Sequence, residues 1–252
     1  MKDKWIYFVI NDGFAFALGN CLIGLKRHNA TLLESCDIIC YEDEVSEKHK
    51  EVLRKIVPQI IFKTWTKTKK SIPQELLEDK RIETSRWGSY VLGKLLGFDL
   101  VNHYDKVLAM DVDIMLQQDI SEVFNYEYIA WRKNLAWDAN EAFKNVFDGV
   151  DYLIAGSGGI ILFSKELRQH NISKKKIVDG YIKTVNVPSR RGGVDEHTLL
   201  GIVYGNKIPL SLLPLEYNMP ALDKKVDDAR IVHFVNPISK PWENYAMIFA
   251  FP

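Results

Sequence analysis

The sequence predicts an α/β fold with a Rossmann-like, doubly wound central sheet and helices on both faces. Short apolar runs rich in β-branched and aromatic residues alternate with segments that repeat apolar residues at helical spacing. Over residues 5–62 the order is strand, helix, strand, helix, strand, which is typical of parallel strands joined by crossover helices. The chain has 252 residues, of which 47% are hydrophobic, enough for one large core. We therefore expect a single domain.

The first quarter of the chain gives the clearest pattern. Residues 5–10 form a continuous apolar run, as a strand buried on both faces requires. A turn follows, and then a predicted helix over 14–27, where Ala15, Leu18 and Leu22 recur on one side. The same reasoning predicts a strand at 36–40, a helix at 44–56 and a strand at 59–62.

Further elements of both types follow, separated by charged or glycine-rich loops. Residues 65–82 are charged and contain Pro73, which predicts a loop with a short helix. Residues 85–100 have helical spacing despite three glycines. By the same criteria we expect, in order, a strand at 104–110, a glycine turn and strand within 153–163, a largely helical stretch at 165–185, a loop at 190–196 followed by a helix, an irregular segment at 209–220 and a last strand at 231–234.

Charge and cysteine content narrow the class of protein. Lys plus Arg and Asp plus Glu number 33 each, so nothing indicates a broad basic surface and no nucleic acid partner is expected. The three cysteines, Cys21, Cys36 and Cys40, lack metal-ligand spacing and are expected to be buried thiols in a reducing compartment. No apolar stretch is long enough to span a bilayer, so a cytoplasmic protein is expected. The apolar tail at 245–252 is expected to dock on the core, with a peripheral membrane contact as the alternative.

Two carboxylates, Asp111 and Asp113, follow the predicted strand at 104–110. Residues two apart on extended backbone project to the same face, so the two side chains should lie close together. Close carboxylates repel each other, and a divalent cation such as Mn²⁺ or Mg²⁺ removes that repulsion while leaving positions for phosphate oxygens. An ordinary polar turn is the alternative, and other parts of the chain decide between the two.

Two other segments could meet these aspartates. Ligands of open α/β sheets bind beyond the carboxyl ends of the strands, where the turn at 11–14 and the Asp111-Val112-Asp113 turn should both lie. His233, on the last predicted strand, could join them, and two carboxylates with one imidazole suit Mn²⁺. The chain has neither Gly-x-x-x-x-Gly-Lys-Ser/Thr nor Gly-x-Gly-x-x-Gly, which argues against a P-loop or a dinucleotide-binding turn.

Six segments, in order along nearly the whole chain, resemble those of glycosyltransferase family 8. This family of retaining enzymes has the GT-A fold, with a mixed central sheet, and includes glycogenin and lipopolysaccharide galactosyl- and glucosyltransferases. The segments are Asn11-Asp12-Gly13-Phe14-Ala15, the run 104–113 ending in Asp111-Val112-Asp113, Ser157-Gly158-Gly159, Asp195-Glu196, Leu213-Pro214-Leu215-Glu216-Tyr217-Asn218, and His233-Phe234 with Lys240-Pro241-Trp242.

The resemblance implies a site for a sugar nucleotide at the first of these segments. Asn11 and Asp12 would contact the uridine, and Phe14 would stack on the uracil in place of the family's tyrosine. A turn residue is the alternative for Asp12, and a core aromatic is the alternative for Phe14.

A metal and diphosphate site is implied by the second and last segments. Asp111, Asp113 and His233 would bind the metal, with Asp111 and Val112 close to the nucleotide. Lys240 would pair with the diphosphate, and a solvated surface lysine is its alternative.

Four residues are implied in contacts with the donor sugar or its phosphates. Lys94 would touch a phosphate or the sugar, and an exposed helix lysine is the alternative. Ser157 and Gly158 would lie beside the sugar, although the family has asparagine where Ser157 stands. Asn236 would lie in the diphosphate loop, at a position where glycine is common.

The resemblance assigns catalysis to Asp195 and Glu196. Asp195 would hydrogen-bond the hydroxyls of the donor sugar. Glu196 replaces the family's usual glutamine beside the anomeric carbon. It could act as a weak nucleophile or stabilise positive charge on the sugar, and a surface glutamate in a shifted loop is the alternative.

The activity implied is retaining transfer of a hexose, with glucose or galactose favoured, from a UDP-sugar to a hydroxyl group. Residues 1–113 would bind the nucleotide, and residues 114–252 the sugar and acceptor. The acceptor could be a glycan, a lipid-linked sugar or a protein, and a homo-oligomer is open. Two alternatives remain: a nucleotidyltransferase, which also uses paired carboxylates and a divalent ion, and an inactive UDP-sugar-binding module, which the replaced residues would favour.

Overall fold

The core of the fold is a mixed seven-stranded sheet. The structure is a computed structural model and describes residues 2–84, 88–135, 138–143, 145–187 and 193–234. Its strands are β1 (Lys4–Asn11), β2 (Cys36–Asp43), β3 (Ile61–Thr64), β4 (Lys106–Met110), β5 (Ile114–Leu116), β6 (Ile129–Lys133), β7 (Gly156–Ser164), β8 (Leu210–Leu213), β9 (Met219–Pro220) and β10 (Ile231–His233). The large sheet has the order β3-β2-β1-β4-β7-β6-β8, and a small sheet has the order β5-β10-β9.

The two halves of the large sheet differ in strand direction. Strands β3, β2, β1 and β4 are all parallel. Strand β7 runs antiparallel to both β4 and β6, while β6 and β8 are parallel. The predicted mixed sheet and its doubly wound beginning are therefore confirmed.

Helices lie between these strands. They are α1 (Ala15–His28), α2 (Ala30–Ser35), α3 (Glu47–Ile56), α4 (Trp65–Thr68), α5 (Gln74–Leu77), α6 (Lys80–Glu83), α7 (Gly97–Leu100), α8 (Ala139–Phe143), α9 (Lys174–Val185) and α10 (Val194–Gly205). Short 3₁₀ segments occur at Asp12–Phe14, Lys69–Ser71, Gly88–Leu96, Ser121–Asn125, Lys165–His170, Leu215–Asn218 and Val226–Asp228.

The prediction of one α-helix over 85–100 is wrong for the described residues 88–100. They form a 3₁₀ segment over Gly88–Leu96, and only Gly97–Leu100 is α-helical. A methyl group on Gly93 would collide with Val9, and one on Gly97 would collide with the ring of Phe163. These glycines let the backbone lie directly against the sheet, and the close approach takes precedence over helical spacing.

Other elements also differ from the sequence prediction, and β3 is Ile61–Thr64 rather than 59–62. The stretch at 165–185 is interrupted at Asn171, whose φ of 44° is left-handed, before α9 begins. Helix α3 begins at Glu47 rather than 44, because Glu44 has a φ of 56° and Ser46 caps the helix. The segment at 209–220, predicted to be irregular, supplies β8 and β9.

Apolar side chains fill both sides of the large sheet. On β1, Ile6 and Phe8 belong to one core cluster with Leu18 of α1. Trp5 and Tyr7 belong to a second cluster, with Ile202 of α10. This alternation explains why 5–10 is apolar at every position and confirms the prediction that helices cover both faces.

Helices α9 and α10 are packed backbone to backbone. Their contact is at Gly180 and Gly201, and a methyl group on Gly201 would collide with the carbonyl group of Gly180. The pair therefore forms one unit on the face of the sheet that Trp5 occupies.

Two sequence expectations concern cysteines and membranes. Cys21, Cys36 and Cys40 are all buried and free, as expected. Among the helices of the described residues, none combines the length and apolar character needed to cross a membrane.

Candidate active site

The candidate site lies at the carboxyl edge of the parallel strands. β1 ends at Asn11 and the neighbouring parallel strand β4 ends at Met110, so the turns that follow them share this edge. The antiparallel strand β7 begins here as well, because the N–H of Asp111 donates to the carbonyl of Gly159 at 2.9 Å. Three separate segments thus meet at one place.

Asp111, Asp113 and His233 form a compact cluster at this edge. β10 pairs with β5 so that His233 lies opposite Ile114, and the N–H of Phe234 donates to the carbonyl of Asp113 at 2.9 Å. The Nε2 atom of His233 is 3.2 Å from Asp113 Oδ1 and 3.8 Å from Asp111 Oδ2. One ligand atom from each residue lies within 4.8 Å of the others. The donor set of two carboxylates and one imidazole therefore fits a divalent cation such as Mn²⁺.

The electrostatics of Asp111 also fit a cation. Although 29% of its side chain stays accessible, burial and then repulsion by Asp113 raise the pKa of the Asp111 carboxyl above its usual range, against the opposing effects of Lys94 and His233. An additional positive charge at the cluster would relieve this cost.

Lys94 connects the aspartate cluster to a second pair of acids. Its Nζ atom is 3.3 Å from Asp111 Oδ1 and 3.0 Å from Asp195 Oδ2. Burial by itself lowers the pKa of an ammonium group, but Asp111 and Asp195 outweigh it and hold the pKa of Lys94 above its usual range. The lysine stays charged, and the alternative of an exposed helix lysine is wrong, since only 15% of its side chain is accessible.

Asp195 and Glu196 lie in the first turn of α10, not in the loop predicted at 190–196. The N–H groups of Gly158 and Gly193 donate to the Glu196 carboxylate at 3.2 and 3.4 Å, and the amide of Asn134 donates to it at 3.3 Å. Burial, and then the charge of Asp195, raise the pKa of Glu196 to about 7. The helix begins here because the glutamate reaches back to the N–H of Gly193, as in half of a capping box.

Ser157 and Gly158 open β7 beside these acids. Ser157 is buried and its hydroxyl accepts a hydrogen bond from the Asn218 side chain at 2.9 Å. A methyl group on Gly158 would collide with the Nζ atom of Lys94. Glycine at this position therefore makes room for the lysine that links the two acidic pairs.

The sequence as a whole places this site in a known family. A family model described as Glycosyl transferase family 8 matches residues 5–246. The chain belongs to glycosyl transferase family 8. This finding confirms the resemblance noted in the six segments, and glycosyl transfer is the class of activity that goes with it. A sequence search of curated proteins found no match.

Solved structures of glycosyltransferases share the fold of this family 8 chain at low sequence identity. The apo WbbM bifunctional glycosyltransferase has a TM-score of 0.66 and 16% identity, covering 96% of this chain and 47% of its own. An active-site mutant of LgtC has a TM-score of 0.68 and 17% identity, covering 94% and 89%. Mouse xyloside xylosyltransferase 1, in its apo form, has a TM-score of 0.63 and 15% identity, covering 94% and 98%. The chain thus spans about half the length of WbbM, and the GT-A-type fold is confirmed.

Asp12, a predicted uridine contact in the turn after β1, already has protein partners. Asp12 Oδ1 accepts from the N–H of Ser46 at 2.9 Å and lies 2.7 Å from His49 Nδ1. The Ser46 hydrogen bond and then His49 lower the pKa of Asp12. Phe14 is partly buried against the core, and Val112 is buried, with its carbonyl accepting from the Cys21 thiol at 3.3 Å. Contacts of these residues and of the neighbouring Asn11 with a nucleotide stay predictions.

Two predicted contacts, Asn236 and Lys240, lie outside the described residues. Their roles at the diphosphate stay predictions from the family resemblance.

Two site residues were missed by sequence reasoning. Asn134 contacts Glu196, but it stands at the end of β6 with no motif around it, and only the pairing of β6 with β7 places it there. Asn218 contacts Ser157 and belongs to the segment 213–218, so its position in that segment was the signal that could have identified it.

Proposed function

We propose that the protein is a retaining hexosyltransferase that moves glucose or galactose from a UDP-sugar to a hydroxyl acceptor. The main observation in support of this proposal is that Lys94 forms ion pairs with one member of each of two acidic pairs, Asp111 and Asp195. Asp111 and Asp113, with His233, form a set suited to a cation. Asp195 is in direct contact with the same lysine and precedes Glu196 on α10.

The first pair would hold the metal. Asp111, Asp113 and His233 would bind Mn²⁺, with Mg²⁺ as the alternative, and a bound ion supplies Lewis-acid stabilisation of the charge on departing UDP. The described cluster supports this assignment through its two hard carboxylate ligands and its imidazole.

The second pair would orient and stabilise the donor sugar. Asp195 would accept hydrogen bonds from sugar hydroxyls, while Lys94 keeps its carboxylate in place. Glu196 would stabilise positive charge at the anomeric carbon or act as a weak nucleophile, and a pKa of about 7 leaves part of it ionised near neutral pH. Ser157 and Gly158 would form the wall beside the sugar.

The remaining contacts follow the family pattern. Asn11, Asp12, Phe14 and Val112 would hold the uridine, and residues 1–113 would thus form the nucleotide-binding half. Residues 114–252 would bind the sugar and the acceptor. The three buried free thiols suit a reducing compartment, so we retain the cytoplasm as the proposed location.

Names of similar proteins support transfer of a sugar but differ in the sugar. One LgtC structure is described as a galactosyltransferase in complex with donor and acceptor sugar analogues, whereas the mouse protein is a xylosyltransferase. The LgtC active-site mutant replaces a glutamine by a glutamate. We propose galactose or glucose for this chain, and the hexose is the first thing to measure.

Thermal unfolding with a panel of nucleotides, each with Mn²⁺ and with EDTA, tests the proposal. A ligand at ~100 times its dissociation constant adds about 2.7 kcal/mol to the free energy of unfolding and visibly raises the melting temperature. We expect UDP to act only with Mn²⁺, and hydrolysis of individual UDP-sugars would then identify the hexose. A rise with nucleoside triphosphates instead would favour a nucleotidyltransferase. Binding of UDP-sugars without hydrolysis or transfer would favour an inactive binding module.

A further inference from the structure

A groove of about 670 Å³ lies between α5 and the beginning of α9, away from the acidic cluster. Its floor is apolar and includes Ile72, which is 4% exposed, together with Leu77 and Val178, which pack on the second core cluster. The walls carry four lysines and one carboxylate, Glu75. None of these residues has a role in the site described above.

Two lysine-rich parts of the sequence converge on this groove. Lys69 and Lys70 come from the segment before α5, and Lys174 and Lys175 come from the first turn of α9, about a hundred residues further along. The ammonium group of Lys174 donates to the carbonyl of Lys70 at 2.9 Å, which fixes the two parts beside each other. Within the described part of the chain, no carboxylate is within ion-pairing distance of any of the four.

The positive charge here is local. The whole chain has a formal net charge of zero, whereas four lysines against one glutamate leave a charge of +3 on the walls of the groove. Holding like charges together costs free energy, and a bound anion offsets that cost. Charge complementarity therefore indicates an anionic occupant.

The groove opens near the same edge of the sheet as the acidic site. Its Thr66 donates to Asp43 at 2.8 Å, and Asp43 lies opposite Asn11 in the register of β2 and β1. Parallel strands are about 4.8 Å apart, so β3, which leads into the groove, is roughly 14 Å from β4, which leads into the acidic cluster. An elongated molecule could therefore have one end in the groove and another at the acidic site.

We propose that this groove, named here the lysine groove, binds a phosphate-bearing oligosaccharide, as a distal part of the acceptor. The apolar floor suits the C–H faces of sugar rings, and lysines suit phosphate as compact point charges. The floor is recessed and buried, so a flat bilayer surface would reach the lysines but not Ile72. The assignment of the ligand as acceptor rests on the proposed glycosyl transfer, whereas binding itself does not.

The test is a binding titration with phosphorylated maltohexaose as the probe. One variant replaces Lys69, Lys70, Lys174 and Lys175 by alanine. The matched control replaces four exposed lysines elsewhere by alanine, giving the same change in net charge: Lys48, Lys55, Lys224 and Lys225. Melting curves of both variants establish that they are folded. We expect the probe to bind the wild type and the control equally and the lysine-groove variant at least tenfold more weakly.

Two further titrations make the result decisive. Neutral maltohexaose should bind much more weakly than the phosphorylated form, and high salt should weaken binding of the latter, because screening shortens the reach of the charges. Equal binding by the wild type and the lysine-groove variant would overturn the proposal, as would equal binding of neutral and phosphorylated sugar. Lysine-dependent binding to vesicles of phosphatidylglycerol, without binding of the sugar, would overturn it in favour of a membrane surface.

A UDP titration with Mn²⁺ on the wild-type protein separates the two proposals. Failure of UDP to bind, with the phosphorylated sugar still bound, would contradict the donor assignment and leave the lysine groove as an anion site. Binding of UDP without binding of the sugar would contradict the lysine groove alone.

Discussion

The two acidic pairs of the site stabilise their charges by different means. Asp111 and Asp113 follow a strand and lie beside Lys94 and His233. Glu196, next to Asp195 at the start of a helix, accepts hydrogen bonds from two backbone N–H groups. The first pair is therefore suited to receive a metal ion, whereas Glu196 of the second pair can hold charge or a proton without one.

The largest expected effect comes from the first pair. Asp111→Asn removes a ligand and a charge, so we expect transfer or UDP-sugar hydrolysis to fall by about a thousandfold or more and Mn²⁺-dependent UDP binding to be lost with it. Calorimetric titration of UDP and a hydrolysis assay measure the two. Asp148→Asn, at an exposed position, is the control and should behave as the wild type. Retention of both functions in Asp111→Asn would contradict the metal assignment.

Removing the connection between the pairs should have the next largest effect. Lys94→Met leaves Asp111 and Asp195 facing each other without the ammonium group, so we expect turnover to fall about a hundredfold and the free energy of unfolding at neutral pH to fall by on the order of 2 kcal/mol. Steady-state kinetics and urea unfolding provide the readouts, with the exposed Lys48→Met as a control. An unchanged stability would mean that the lysine does not offset repulsion between the acids.

Displacing the ammonium group of Lys94, rather than removing it, should reduce turnover by a smaller factor. The methyl group of Gly158→Ala would push aside the flexible end of Lys94 without touching the core, so we expect kcat/KM to fall about tenfold, which corresponds to about 1.4 kcal/mol. Gly205→Ala is the control, because its methyl group would make only ordinary contacts with Lys183. Equal kinetics in the two variants would mean that the position of Lys94 is not critical.

The second pair should show its difference in pH dependence. Burial raises the pKa of Glu196 from 4.5 to about 7, so between these values the folded state binds more protons than the unfolded state. The free energy of unfolding therefore falls as pH rises through this window, by on the order of 2 kcal/mol. Glu196→Gln should abolish that fall and remove any step near pH 7 from the rate profile, with turnover kept within about tenfold.

Urea unfolding at several pH values, on the wild type and on Glu196→Gln, measures this effect. Parallel curves for the two proteins would show that Glu196 has the same pKa in the folded and unfolded states, as an ordinary exposed glutamate has. Complete loss of turnover at every pH would instead indicate that the carboxylate attacks the sugar itself.

Sequence predicted the parts of the fold that depend on local pattern. The apolar runs gave β1 and β4, and the spacing of apolar residues gave α1, because burial on the sheet dictates both. The pattern was misleading over Gly88–Leu96, where Gly93 approaches the sheet closely and a 3₁₀ segment replaces the α-helix. Local propensity does not reveal such contacts between distant segments.

The site residues also fall into those that sequence pattern could identify and those that it could not. Asp111 and Asp113 could be found because their spacing after an apolar strand agrees with other motifs along the chain, and His233 because it lies on a recognisable strand. The burial of Lys94, the contact of Asn134 with Glu196 and the convergence of the lysines on one groove depend on tertiary packing. Spacing along the chain contains no information about them.

Helices α9 and α10 touch at Gly180 and Gly201, where each side chain is a single hydrogen atom. The position of the acidic site therefore depends on how closely these two glycines pack. Glu196 is five residues from Gly201, which is about 7.5 Å along the helix axis. A methyl group on either glycine would separate the helices and tilt α10, so that the acids at its first turn would shift relative to Lys94. The position of the acids is therefore determined in part by two glycines that touch no substrate, and adding one methyl group there would be enough to change it.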